Sequence, residues 1–494
     1  MSTFRVAIIG AGFGGIGLGI LLKQAGIPFV VLEKAGGIGG TWRDNVYPGA
    51  ACDVPSHLYS FSFERKTDWT RRFAEQPEIL AYLEHCVDAY GLAPHLRLDT
   101  EVTEARFLDG RWRLSVTAKE DRENGAEENG GRENRDGDEI IEADVLVSAC
   151  GQLNRPSIPS IPGLETFGGT VFHSARWDHS HDLTGRRVAV IGTGASAIQF
   201  VPHVAEQAAE LTVYQRTAPY VIPKPDRVYG AVTRRLLGRV PALHDLDRLR
   251  TYLFFESRAL GFVTYPPALK TMEASFRRTL KQAVPDRALR AKLHPDHPLG
   301  CKRVLISDDY YPALQRPNVA LVTDPIKEVR QNAVVTEDGR VRTADTLILG
   351  TGFRSTEFLA PMAVHGRNGR ELSEEWRDGA QAHLGITVHG FPNLYLLYGP
   401  NTNLGHNSII YMLESQFSYV MACIRSGHTL EVRKDVQNAF NDEVRRRMRT
   451  TVWNTGCTSW YQTADGKHVN NWPGYTFAYR RATRRPDPRD FSVG

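Results

Sequence analysis

Two segments of this chain repeat one pattern, an apolar strand, a glycine-rich turn and a helix, and that repetition constrains the fold more than any other feature. Residues 4–9, Phe-Arg-Val-Ala-Ile-Ile, are mostly apolar and β-branched and read as a buried parallel strand. Gly10-Ala11-Gly12-Phe13-Gly14-Gly15 follows, and an apolar helical stretch runs on through Leu22. In such a unit Gly10 permits the tight turn, Gly12 lets the backbone approach a pyrophosphate, and Gly15 lets the helix lie against the strand. The helix N-terminus turns free N–H groups and a positive dipole end toward the phosphates. Glu33 closes the next strand, where an acid holds a ribose hydroxyl.

The second copy spans residues 187–197, with Gly192, Gly194 and Ala197 in the three glycine positions. Thr193 lies within its turn and Ser196 is positioned to meet a pyrophosphate. Its next strand ends in Arg216-Thr217, where the first copy has Glu33. A carboxylate repels a 2′-phosphate, whereas an arginine pairs with it. The first site is therefore expected to take FAD and the second NADP(H). The predicted fold is α/β, with two Rossmann-like dinucleotide-binding domains, one for FAD and one for NADP, and a helical insertion in the NADP domain.

The expected boundaries follow from linkers and periodicity. Residues 1–155 form the first part of the FAD-binding domain, and 156–225 hold a proline-rich linker and the first part of the NADP-binding domain. A helical insertion covers 226–300, its apolar spacing (Leu236, Leu237, Val240, Leu243, Leu246, Leu249, then Leu280, Val284, Leu289, Leu293) read as inward helix faces. Residues 301–354 complete the NADP domain, and 355–494 return to the FAD domain and end in an active-site loop. Residues 119–138, nearly all charged or polar, are expected to be a disordered hairpin loop.

Composition narrows the function. With 60 basic and 56 acidic residues, the formal charge of +4 makes no electrostatic case for nucleic acid. No apolar run reaches the roughly 20 residues that cross a bilayer, and since the N-terminus is read as entering a strand at once, no signal peptide is expected. Cys52, Cys86, Cys150, Cys301, Cys423 and Cys457 have no paired spacing and are expected to be reduced thiols of a cytoplasmic protein. The missing Cys-x-x-Cys argues against a disulfide reductase.

Between the two units stands Phe167-x-Gly169-x-x-x-His173-x-x-x-Trp177-Asp178, and a further segment reads Gly39-Gly40-Thr41-Trp42-x4-Tyr47-Pro48-Gly49-x3-Asp53. Both resemble signatures of the Baeyer–Villiger monooxygenases, over nearly the whole chain, and residues 398–412 are most similar to the branch containing 4-hydroxyacetophenone monooxygenase. The resemblance implies FAD and NADPH as cofactors and O2 as co-substrate. It implies a C4a-peroxyflavin that attacks a ketone carbonyl and gives an ester or lactone, with sulfoxidation as a side activity.

It further implies that Arg303, next to Lys302, stabilises the anionic oxygen, and that Asp53 pairs with and orients it. Lys302 would join Arg216 and Thr217 on the 2′-phosphate. Thr41 and Trp42 would flank the flavin ring, with Tyr59 near it and Val102 by the adenine. His173 and Trp177 would lock the domains together. The substrate would be a hydrophobic ketone bound among the insertion, residues 399–412 and residues 460–475; nothing in the sequence sets an oligomeric state. A flavin-containing or N-hydroxylating monooxygenase acting on nitrogen or sulfur shares both nucleotide motifs. Trp177-Asp178 and Lys302-Arg303 speak against it. Tight coupling of NADPH use to product would exclude an NADPH-dependent flavin reductase or oxidase, and a non-catalytic nucleotide sensor would need no Arg303–Asp53 pair.

Overall fold

The computed structural model describes residues 2–118 and 139–493, so the charged stretch 119–138 lies outside the described residues. The first unit opens with β1 (Ser2–Ile9), α1 (Phe13–Gln24) and β2 (Phe29–Leu32). The two-residue β3 (Leu96–Arg97) and the longer β4 (Thr100–Leu108) lead to β5 (Arg111–Ala118) and β6 (Glu139–Ser148). Val6, Ala7 and Ile8 of β1 are fully buried because parallel neighbours flank the strand and packed elements cover both its faces.

The second unit contributes β7 (Thr170–His173), β8 (Arg187–Ile191), α2 (Ala197–Gln207) and β9 (Glu210–Tyr214). Four helices then interrupt it: α3 (Ala231–Arg239), α4 (Pro241–Ser257), α5 (Leu269–Ala283) and α6 (Arg287–Lys292). It resumes with β10 (Val319–Val322) and β11 (Thr346–Leu349). Its parallel sheet has the order β10-β9-β8-β11-β7. Beyond it, β12 (Ala363–His365) pairs with β4 and β13 (Leu394–Leu396) pairs with β6, so the chain re-enters the first sheet. That sheet runs β12-β4-β5-β6-β1-β2-β3, with β13 beside β6. The C-terminal part adds α7 (Ile409–Ser426), a helix over Lys434–Met448, and α8 (Thr476–Ala482). Ser408 caps α7, its side chain accepting from the Ile410 N–H at 3.2 Å.

The insertion departs from expectation. Leu237, Leu280, Val284 and Leu293 face inward, but Leu236, Val240, Leu243, Leu246 and Leu249 are exposed. In α4 the buried positions are instead His244, Thr251, Phe255 and Glu256. Periodicity identifies a helix stripe; it carries no information about which side of the stripe the rest of the protein occupies.

A second departure concerns the thiols. Cys301 and Cys457 form a disulfide across 156 residues, while Cys52, Cys86, Cys150 and Cys423 are free. A bridge of that span has no spacing signature, because the tertiary fold alone brings its ends together. In denaturant without reductant, four of the six thiols are expected to react with Ellman's reagent. Six reacting under those conditions would rule out the pairing.

Candidate active site

The two glycine turns open onto one cavity of about 1890 Å³, lined by residues of both units. Single-ligand pockets occupy roughly 300–1,000 Å³, so this space has room for two nucleotides and a small substrate. In the first turn Gly10 has φ +104°, and a Cβ on it would sit 2.7 Å from the Ala149 carbonyl oxygen. A Cβ on Gly15 would lie 1.9 Å from the Gly10 oxygen, so the helix–strand approach excludes any side chain there. Over Gly12 the nearest atom to such a Cβ is the Gly40 Cα at 3.8 Å, which leaves the backbone open to a ligand. Gly14 packs on Ala149.

Glu33 directly follows β2. Its carboxylate accepts from the Ala11 N–H at 2.8 Å and the Ala35 N–H at 3.0 Å, which fixes it at the rim of the turn. Two carboxylate oxygens have about four acceptor sites, so capacity remains for ribose hydroxyls. Val102 of β4 lines the same end of the cavity. Gly39 and Gly40 both have positive φ and lead into Thr41 and Trp42. The Trp42 indole N–H donates to the Tyr59 hydroxyl at 3.2 Å, and Thr41, Trp42 and Tyr59 all line the cavity.

The second turn repeats the logic. Gly192 has φ +110° and would place a Cβ 2.3 Å from the Gly350 oxygen, while nothing lies within 4 Å of one on Gly194. Thr193, Ser196 and Thr217 line the cavity beside it, and Ala197 begins α2 against Gly350. Arg216 is exposed and makes no ion pair with any described residue. The Lys302 ammonium is held below its ordinary pKa, chiefly by burial; Asp296 opposes this and the nearby Arg216 charge adds to it. Two cations gathered in this way favour a dianionic group between them.

Arg303 and Asp53 meet where the two units join. The Arg303 Nε and Nη2 donate to one Asp53 oxygen, at 2.9 and 2.5 Å. The Asp53 charge raises the Arg303 pKa further, outweighing burial, so the guanidinium stays charged. Nη1 has no hydrogen-bond partner among the described residues, and 30 % of the side chain remains open. Burial pushes the pKa of the nearby Tyr461 hydroxyl up to about 12, against the opposing effects of Arg303 and the Asn471 side chain.

Other signature residues set how the two units and the linker pack, and of these Tyr47 also lines the cavity. Gly49 has φ +79° and would set a Cβ 2.7 Å from the Gln199 oxygen on α2, so this loop is pressed onto the second unit. Tyr47 donates to Gln199 at 2.9 Å, and Gln199 donates to the Ala51 carbonyl at 2.9 Å. A Cβ on Gly169 would meet the Asp345 oxygen at 2.3 Å and the Phe167 ring at 2.6 Å. The His173 Nδ1 accepts from the Ala175 N–H at 3.1 Å, and burial lowers its pKa. Trp177 packs edge-on to Phe172, and Asp178 accepts from the Ser180 N–H and hydroxyl. Phe167, Gly169, His173, Trp177 and Asp178 therefore shape the region around the linker and none lines the cavity.

Sequence reasoning missed the carboxylate that joins three substrate-side elements. Glu256, at the end of α4, accepts from Asn407 Nδ2, the Thr476 N–H and the Thr476 hydroxyl, each at 2.7 Å. It ties the insertion to the start of α7 and of α8, and Asn407 lines the cavity. Its position in an exposed-looking helix offered no signal. The Cys301–Cys457 bridge likewise connects the residue before Lys302-Arg303 to the loop whose Thr458, Ser459 and Trp460 line the cavity.

Residues 7–230 match the family model described as pyridine nucleotide-disulphide oxidoreductase. A protein of Streptomyces coelicolor named Baeyer-Villiger monooxygenase is 46% identical over 99% of this chain and 92% of its own length. The solved structure of an oxidized steroid monooxygenase bound to NADP superposes with a TM-score of 0.85 at 30% identity, covering 100% of this chain and 99% of that one. An ε-caprolactone-bound cyclohexanone monooxygenase superposes with a TM-score of 0.84 at 27% identity, covering 100% of both chains.

Proposed function

The chain belongs to the Baeyer–Villiger monooxygenases, and from that premise we propose that it inserts one oxygen atom of O2 beside the carbonyl of a hydrophobic ketone. It is an NADPH-dependent flavoprotein monooxygenase with FAD and NADP as cofactors. The first turn, with Gly10, Gly12, Gly14, Gly15, Glu33, Gly40, Thr41, Trp42, Tyr59 and Val102, would hold the FAD. The second, with Gly192, Thr193, Gly194, Ser196, Ala197, Arg216, Thr217 and Lys302, would hold NADP(H). The open backbone over Gly12 and Gly194 fits two pyrophosphates, and the unpaired Arg216 fits a 2′-phosphate.

The chemistry that the bound flavin supplies is two-electron transfer from NADPH to O2. The protein's own task is to hold a negatively charged oxygen against a carbonyl and keep water away. Arg303 supplies a permanent cation with a rigid fork of donors. Asp53 engages one edge of the fork through a single oxygen and leaves Nη1 to stabilise the anionic oxygen and the adduct it forms with the carbonyl. Residues 458–460 would cover that centre, held to it by the bridge beside Arg303.

The Arg303–Asp53 pair at the junction of both nucleotide turns carries this reading. Its test uses the FAD-loaded enzyme, NADPH and ¹⁸O2, with cyclohexanone and 4-hydroxyacetophenone as probes. One labelled oxygen per ester, formed in step with NADPH consumption, is expected, with minor sulfoxidation of thioanisole. Hydrogen peroxide without ester would favour an oxidase. Oxidised amine or sulfide without ester would favour a flavin-containing or N-hydroxylating monooxygenase.

A further inference from the structure

The insertion turns its apolar stripe outward. On α4, Leu246, Leu249, Leu253 and Phe254 are each at least half exposed, and on α3 Val232 is 82% and Leu236 50% exposed. At 100° per residue these α4 positions and Leu243 share one face, opposite the buried His244, Thr251 and Phe255. Single exposed leucines are ordinary, but a contiguous apolar face of this kind marks a contact surface.

Charge identifies what the surface contacts. Residues 231–257, which hold the two helices of this face, carry 5 Arg against 3 Asp and Glu, a net +2. Arg235, Arg239 and Arg250 are exposed among the leucines and make no ion pair with any described residue. The nearby acids are already engaged: Asp245 with Arg65 at 2.7 Å and Asp247 with His57 at 2.7 Å. An apolar face studded with free arginines complements an anionic interface that has an apolar interior. A second copy meeting this face symmetrically would set these unpaired arginines against the same set of arginines. Among the described residues no helix is long and apolar enough to cross a membrane.

We propose that α3 and α4 form a docking face for the surface of an anionic phospholipid bilayer. The face ends at Glu256, which holds the cavity-lining Asn407. Docking would thus bring the cavity wall to the phase in which an apolar ketone dissolves; this last consequence rests on the proposed function, whereas the docking itself does not.

The experiment is vesicle flotation of the FAD-loaded full-length protein at low salt. Equimolar phosphatidylcholine and phosphatidylglycerol vesicles should carry it, pure phosphatidylcholine should not, and high salt should release it. Each of Leu246→Asp and Leu253→Asp should weaken binding at least about tenfold, and Arg239→Ala about fivefold. NADPH oxidation by these variants should match the wild type, showing that they fold. Failure to float on the anionic vesicles overturns the proposal, as does binding that the leucine substitutions leave unchanged. Lack of flotation together with a dimer that Leu253→Asp dissociates, read by light scattering, would assign the face to a second copy instead. None of these readings depends on which ketone is oxidised.

Discussion

Arg303→Ala is expected to lower ester formation about 10³-fold while flavin reduction by NADPH continues. The reason is the timing of charge. Hydride transfer needs the two nucleotides in register, which the glycine turns and Arg216 would provide. On the proposed function, negative charge on oxygen would develop afterwards, and its fixed counter-charge would be the Arg303 guanidinium. Without it, electrons taken from NADPH should leave as hydrogen peroxide. Arg303→Lys keeps the charge and loses the fork, so its loss should be intermediate. The orphaned Asp53 retains 31% side-chain exposure, so the structural cost falls below the roughly 3–5 kcal/mol of a fully buried broken pair. Labelled ester and released peroxide, each measured per NADPH consumed, give the answer. Ester formation at the wild-type ratio in Arg303→Ala would sink the assignment.

Arg216→Ala should raise the KM for NADPH by about 10–100-fold, the loss of one charge-assisted contact of about 1.5–3 kcal/mol, and leave the KM for NADH nearly unchanged. Arg216→Glu should go further, because it adds repulsion of the 2′-phosphate. Lys302 would keep part of the site, since its ammonium lies within electrostatic reach of Arg216. Steady-state kinetics with both nucleotides decide the matter. An equal rise for NADH would mean that Arg216 supports the loop rather than reading the phosphate.

Much of the nucleotide architecture was legible before any coordinates. Gly10, Gly15 and Gly192 each stand where a side chain would strike a backbone oxygen, and the strand, turn and helix around them are contiguous in sequence. Their signal is local, so short-range rules recover it. Arg303 and Asp53 are different: 250 residues separate them, and a Lys-Arg pair before a strand says little until it is recognised as part of a family signature. The Glu256 junction left no trace, because a lone glutamate on an amphipathic helix reads as part of its solvated face.

The amino-acid sequence by itself determined two dinucleotide units, the opposite charges Glu33 and Arg216 that end their second strands, and the residues that a family signature brings forward. These properties depend on backbone geometry over a few residues and on the charge at a strand end. Only the tertiary structure decided that Asp53 engages one edge of Arg303, that Cys301 meets Cys457, that Glu256 joins three elements, and that the leucines of α4 face outward. Each of these depends on which distant surfaces pack together. Periodicity and spacing describe a segment's own faces, and the partner that covers a face, or leaves it bare, lies elsewhere in the chain.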